Sequence, residues 1–139
     1  MFRVHRRTVT KVTRGGLGDR LPCSNMLNEI LERALLIVAF QPIVHLPSRR
    51  VFAHEVLGRV RPTGDDPVPG PAELVEEAAC VGALLELEHA WRRAAIETIA
   101  ERHAHDDSVY FLNVDTRVLQ DPRFVPGTTR NLLREHGLS

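Results

Sequence analysis

The sequence has no excess of either charge and few aromatic residues. Its 139 residues include 18 Lys or Arg against 18 Asp or Glu, and the sequence pI is about 7.1. This balance argues against a strongly basic nucleic-acid-binding surface. Aromatic residues make up only 5% of the chain and form no cluster, so a stacking platform for bases is not expected either. Binding to nucleic acid is therefore not predicted.

Cysteine and long apolar runs are also scarce. The cysteines, Cys23 and Cys80, do not make the closely spaced set of a disulfide-stabilised secreted domain. Cys80 falls within an apolar helical pattern, which predicts a buried free thiol. No stretch of about 20 apolar residues is present, so no membrane span is predicted. The basic start of the chain is not followed by the apolar region of a signal peptide, and we expect a cytoplasmic protein.

What the sequence does contain is the apolar content of a folded domain. Hydrophobic residues make up 43% of the chain and charged residues 26%, which excludes a disordered protein. Residues 1–24 are polar and basic with several helix-breaking residues, and we expect them to form a flexible leader. Residues 25–139 carry the periodic patterns of one domain. The length is short of the roughly 200–250 residues that a complete (β/α)8 barrel needs.

The periodic patterns predict an α/β order of elements. Long helices separate the second and third strands, which favours a parallel pairing between them. The first two strands are joined by a short turn and are expected to be antiparallel. Pro42 cannot donate to a central ladder, so the first strand should be irregular or lie at an edge. The predicted elements are a helix from Ser24, strands at Val38 to Val44 and Val51 to Val60, helices from Pro71 and over Ala83 to His103, a strand at Val109 to Val114, and a helix over Thr128 to His136.

Two polar residues interrupt the apolar strands. Glu55 lies in the middle of the second predicted strand, and Asn113 lies near the end of the third. Ligands of α/β proteins collect at the carboxyl ends of parallel strands. A carboxylate and an amide oxygen that meet there would form a hard-oxygen site suited to Mg²⁺ or Mn²⁺. Alternatively, Glu55 lies on the wet face of an alternating strand, and Asn113 is a turn residue that bonds its own backbone.

Several short sequence motifs follow one another along the chain in an order that is typical of one known family. Gln41-Pro42-Ile43-Val44 is followed, after a turn, by Glu55-Val56-Leu57-Gly58-Arg59. Further blocks follow at Pro71 to Ala78, Leu87 to Trp91, Phe111 to Val114 and Leu119 to Phe124. The series resembles, in the same order, the N-terminal part of the EAL domain family, which hydrolyses cyclic di-GMP. That family opens with a Gln-Pro-Ile-Val strand and continues with a Glu-Ala-Leu-Leu-Arg strand.

The resemblance implies a fold and a set of roles. It implies a (β/α)8 TIM-barrel-like fold with an antiparallel first strand, here incomplete. Glu55 and Asn113 would bind catalytic Mg²⁺ or Mn²⁺. Gln41, Leu57 and Arg59 would contact cyclic di-GMP, and the guanidinium of the arginine suits a phosphate. The reaction of the family is hydrolysis of cyclic di-GMP to linear pGpG, in which two metals stabilise the attacking and leaving oxygens.

The sequence also departs from the family pattern. Val56 replaces the alanine of the signature, and Gly58 replaces a leucine, which we expect to remove a side chain beside the site and to loosen the strand. The later acidic residues and the lysine of the family have no counterpart, so we expect the chain to be inactive alone. Alternatives are a non-catalytic module that binds nucleotide or protein, and a truncated fragment without function. An open barrel should expose strand edges and self-associate.

Overall fold

Local sequence signals place the helices and strands along the chain. The structure is a computed structural model that describes residues 23–64, 67–103 and 108–138. Residues 1–22, most of the predicted leader, lie outside the described residues. The elements are α1 (Cys23–Glu32), β1 (Leu36–His45), β2 (Arg50–Val60), α2 (Pro71–Cys80), α3 (Leu84–His103), β3 (Val109–Leu112), a 3-10 helix (Thr116–Gln120) and α4 (Thr128–Glu135).

The three strands form one mixed sheet in the order β1-β2-β3. β1 and β2 are antiparallel neighbours, with Gln41 opposite Glu55, and β2 and β3 are parallel, with Glu55 opposite Phe111. The helices α2 and α3 make the crossover between the two parallel strands, as such a pairing requires. This arrangement confirms the α/β prediction with an antiparallel first strand. The described strands do not close into a barrel.

The proline in β1 lies where a missing N–H is tolerated. β1 is an edge strand, and Pro42 pairs with His54 just before a register irregularity between Ile43 and Val44. Proline is confined to edge strands and bulges because it cannot donate to a central ladder. The prediction that this strand is irregular or lies at an edge is therefore confirmed, and in the described sheet it is both.

Helix α3 packs against two apolar clusters and covers one face of the sheet. Near its start, Leu87 is fully buried with Leu27 of α1, Leu74 of α2 and Val118 of the 3-10 helix. Further along, Ala95 and Ile99 pack against Val56 of β2, with other β1 and β3 side chains at the margin of the cluster. The opposite face of the sheet carries the alternate side chains of each strand.

Gly58 lies on the helix-covered face rather than beside the site. It pairs with Val38, which belongs to the cluster packed on α3. A Cβ at this glycine would lie 2.5–2.8 Å from three atoms of the Trp91 ring. The indole Nε1 donates to the carbonyl of Arg59 at 3.3 Å. The expectation that Gly58 removes a side chain beside the site is therefore wrong, because Gly58 faces Trp91 on the other face of the sheet.

Two further details differ from the sequence-based expectations. Cys80, expected to be buried, is exposed at the end of α2. β3 ends at Leu112 because its last parallel partner is Val56, and Asn113 therefore lies outside the ladder. Within the described residues, no helix combines the length and apolarity needed to cross a membrane.

Candidate functional site

The parallel pairing of β2 and β3 brings Glu55 and Asn113 together. Side chains alternate along a strand, so Asn113, two residues after Phe111, lies on the face of Glu55. Asn113 Nδ2 donates a hydrogen bond to Glu55 Oε1 at 2.7 Å, across 58 positions of sequence. The two residues singled out from the sequence therefore form one polar pair at the carboxyl end of β3.

The other predicted site residues lie on the same face of the sheet. Gln41 of β1 is the direct partner of Glu55, and cross-strand partners share a face. Leu57 and Arg59 follow Glu55 at the strand period of two, so they point to that face as well. Gln41 and Arg59 are exposed, whereas Leu57 is partly buried. The sheet thus presents an open surface with a carboxylate, two amides, an apolar side chain and a cation.

Arg59 extends this surface away from the polar pair. It lies four residues beyond Glu55, which is about 13 Å along a strand. Its Nη1 donates to the carbonyl of Gly58 at 2.7 Å. Among the described residues, no carboxylate forms an ion pair with this guanidinium. The remaining N–H groups of Arg59 can therefore donate to an anion that enters the surface from solvent.

The polar pair fits part of a divalent-cation site. The carboxylate of Glu55 and the amide oxygen of Asn113 are hard donors, and Mg²⁺ keeps several waters while using one or two protein ligands and substrate phosphates. Asn113 now presents its nitrogen to the carboxylate, so its amide must turn for both residues to offer oxygen to one ion. No group of three or more His, Cys, Asp or Glu suited to a metal occurs among the described residues.

A buried ion pair supports the segment that carries Asn113. Arg92 Nη2 donates to Glu88 Oε2 at 2.9 Å within α3, and the two side chains are only 7% and 11% exposed. The other carboxylate oxygen, Oε1, accepts the backbone N–H of Asp115 at 3.1 Å. Burial raises the pKa of Glu88, and the Asp115 hydrogen bond and the charge of Arg92 oppose that rise.

Two arginines attach the segment after β3 to the helices before it. Arg117 donates to the carboxylate of Asp115 and, through Nη2, to Glu76 of α2 at 3.0 Å. Arg123 repeats the arrangement with Asp121 and with Glu86 of α3. Hydrogen bonds from these arginines lower the pKa of Asp115 and lower that of Asp121 to about 2. The backbone beyond Asn113 is therefore held by charged contacts on one side of the sheet.

The Glu88–Arg92 pair was not identified from the sequence. The signal was present, because Leu84, Glu88, Arg92 and Ala95 follow one another on one face of α3 at helical spacing. Two opposite charges at i and i+4 inside an apolar stripe indicate a buried pair. What the spacing does not indicate is the third member, the Asp115 N–H, which comes from another element.

Comparisons with known proteins bear on the family and the fold of the chain. The family model described as EAL domain matches residues 24–139. Among solved structures, a FimX EAL domain is 26% identical with a TM-score of 0.66, and the match covers 87% of this chain and 48% of that one. The FimX EAL domain from Pseudomonas aeruginosa bound to c-di-GMP is 25% identical with a TM-score of 0.66, covering 84% and 46%.

A third solved structure shows the same fold. It is the PaMucR phosphodiesterase in complex with c-di-GMP, which is 22% identical with a TM-score of 0.64 over 85% of this chain and 48% of that one. The chain therefore spans about half the length of these structures. The comparison with curated proteins found no match.

Proposed function

The chain belongs to the EAL domain family, and we propose that it binds cyclic di-GMP on the open face of its sheet. The observation that carries the proposal is the shared face of Gln41, Glu55, Leu57 and Arg59, completed by Asn113 through its contact with Glu55. Two similar structures, the FimX EAL domain and the PaMucR phosphodiesterase, are complexes with c-di-GMP. We propose in addition that the protein is cytoplasmic, as expected from the sequence.

Each residue has a role that its chemistry supports. Arg59 has N–H groups available for a phosphate oxygen, and a guanidinium can donate two parallel bonds to it. Leu57 offers an apolar contact to a guanine base. Gln41, opposite Glu55, can donate and accept hydrogen bonds at the ligand. The ligand would thus extend along β2 from the pair of Glu55 and Asn113 to the guanidinium of Arg59.

Glu55 and Asn113 would hold one Mg²⁺ or Mn²⁺ ion. Such an ion, when bound, activates water and stabilises charge on phosphate oxygens. Hydrolysis by two metals requires more donors than these two side chains provide, and no group of three or more His, Cys, Asp or Glu suited to a metal occurs within the described residues. We therefore propose that this chain alone binds cyclic di-GMP weakly without converting it to pGpG.

A calorimetric titration with cyclic di-GMP in the presence of Mn²⁺, followed by chromatography of the nucleotide, tests the proposal. We expect Arg59→Ala to weaken binding by about 10-fold or more, since a hydrogen bond to a charged group contributes roughly 1.5–3 kcal/mol. Arg50→Ala, at the other end of the same strand, is the matched control and should bind like the wild type. Equal affinity of R59A and the wild type would contradict the binding site, and recovery of pGpG would contradict the absence of hydrolysis.

A second candidate function is a protein-binding module that associates with itself. Large apolar side chains are exposed on and around the turn between β1 and β2; among them Leu46 is 84% exposed and Phe52 is 59% exposed. β1 and β3 are also the outer strands of the described sheet. Exposed apolar residues beside open strand edges favour association with another chain, and a second copy of this chain is the simplest occupant.

A further inference from the structure

The residue Asn113 follows directly after the last pair of the parallel ladder, outside β3. The parallel ladder between β2 and β3 ends at the pair Val56 and Leu112. Asn113 is exposed and follows directly after that last pair. A side chain on such a segment keeps one position only if the backbone beside it is fixed by other contacts. Directly after it, Val114 packs against the core cluster around Leu87, and the next hydrogen bond beyond it that joins another element runs from the Asp115 N–H to Glu88.

We propose that Glu88 is a positioning residue for the site, which sets the place of Asn113 beside Glu55 through the Asp115 N–H. The proposal rests on the proposed function of that pair. Glu88 lies on α3, which packs against the sheet, so it can transmit the position of a rigid element to the segment. One carboxylate oxygen of Glu88 binds Arg92 on the same helix at 2.9 Å, and the other binds the Asp115 N–H outside the helix at 3.1 Å.

Arg92 keeps this carboxylate in one orientation. The guanidinium lies one helical turn along α3 and binds Oε2, which leaves Oε1 directed at the Asp115 N–H. Asp115 is also the N-cap of the 3-10 helix, where its side chain accepts the Arg117 N–H at 2.9 Å. The segment between Asn113 and Arg117 therefore has an anchor on its backbone from α3 and a second anchor at the start of the next helix.

Two double variants separate positioning from general stability. E88Q/R92M and E88L/R92M both remove the buried charges, so neither leaves an unpaired buried ion. Glutamine keeps an oxygen that can accept the Asp115 N–H, whereas leucine keeps only the apolar volume. Amide hydrogen exchange and the side-chain NH₂ signals of Asn113 are recorded for the ligand-free chains by NMR. Thermal unfolding of both variants is recorded as the measure of stability.

We expect the glutamine variant to keep the wild-type signals of Asn113 and the protection of the Asp115 amide. In the leucine variant, Asp115 should exchange at least about 10-fold faster, and the Asn113 side-chain signals should shift towards those of a free amide. Identical Asn113 and Asp115 signals in the two variants would overturn the proposal. If E88L/R92M fails to fold, hydrogen exchange of the Asp115 amide in the wild type tests the proposal. An unprotected Asp115 amide in the wild type would overturn it, because the proposal requires its hydrogen bond to Glu88.

Binding of Mn²⁺ alone, followed by electron paramagnetic resonance, connects this role to the site. The leucine variant is expected to bind Mn²⁺ at least about 10-fold more weakly than the glutamine variant, because Asn113 no longer meets Glu55. Equal Mn²⁺ affinity in the two variants would overturn the positioning role. If the wild type binds no Mn²⁺, the proposed metal site fails, while the ligand-free NMR comparison still decides whether Glu88 positions Asn113.

Discussion

At the scale of single residues, the role of a strand residue in the site or in packing depends on the face of the sheet on which it lies. Glu55 and Gly58 are three positions apart on β2 and therefore lie on opposite faces of the sheet. Glu55 meets Asn113 on the open face, whereas Gly58 meets Trp91 on the helix-covered face. A departure from the family signature at position 58 thus concerns packing, and the candidate ligand surface is left intact.

Gly58→Leu, which restores the residue of the family signature, should destabilise the chain. The added side chain would collide with the Trp91 ring, and overpacking of this kind costs about 1–3 kcal/mol. G58L/W91A should recover a part of the loss, since Trp91→Ala opens the space that the leucine side chain fills. Urea unfolding of the wild type, both single variants and the double variant measures this coupling. Purely additive effects would contradict direct packing between the two residues.

At the scale of elements, charged contacts fix the connection that follows β3. Arg117 and Arg123 each bind an aspartate two positions earlier in the chain. Each also binds a glutamate on a preceding helix, which is Glu76 of α2 for Arg117 and Glu86 of α3 for Arg123. The segment between β3 and α4 contains a 3-10 helix, which is not among the elements predicted from the sequence. The two contacts between arginine and glutamate join residues that lie more than 35 positions apart, which is why local patterns do not predict them.

The Asp121 contact predicts a dependence of stability on pH. Hydrogen bonds from Arg123 lower the pKa of Asp121 from its ordinary value of 3.8 to about 2. A carboxyl group whose pKa falls on folding stabilises the protein above its ordinary pKa, and that contribution disappears as the pH falls towards the lowered value. Asp121→Asn should therefore be less stable than the wild type at neutral pH and equal to it near pH 2.

Urea unfolding midpoints of the wild type and D121N, measured from neutral pH down to about pH 2, check this expectation. Glu101→Gln, an exposed change on α3, is the control variant and should follow the wild type throughout. A difference between D121N and the wild type that stays constant over the whole range would show that the charge of Asp121 has no part in the stability. Added salt should reduce the difference at neutral pH, because the pair is exposed to solvent.

At the scale of the whole molecule, the described sheet is covered by helices on one face and open on the other. Open edges and exposed apolar side chains make association with a second chain favourable. The turn between β1 and β2 carries the largest share of that exposure, with Leu46, Val51 and Phe52 all more than half exposed. The candidate ligand residues lie along the other part of the hairpin, so both surfaces can be occupied in one molecule.

Phe52→Lys should weaken self-association of the chain. Burial of a phenylalanine side chain stabilises an interface by about 1.5–3 kcal/mol, so the association constant should fall by about 10-fold or more. Leu119→Lys is the matched control, because Leu119 is 56% exposed against 59% for Phe52 and lies on the 3-10 helix. Light scattering over a range of protein concentrations measures the change. A wild-type chain that stays monomeric at every concentration would contradict the proposed association.

The sequence by itself determined the α-helices and strands, the strand orientations and the choice of candidate site residues, but not the 3-10 helix after β3. Helical and strand periods, Pro42 and the turn residues are local signals, and the Gln41 and Glu55 segments identify the family. Only the tertiary structure decided that Asn113 bonds Glu55, that Trp91 fills the space at Gly58 and that Glu88 reaches Asp115. Each of these contacts joins residues at least 27 positions apart, and such contacts form only when separate elements pack together.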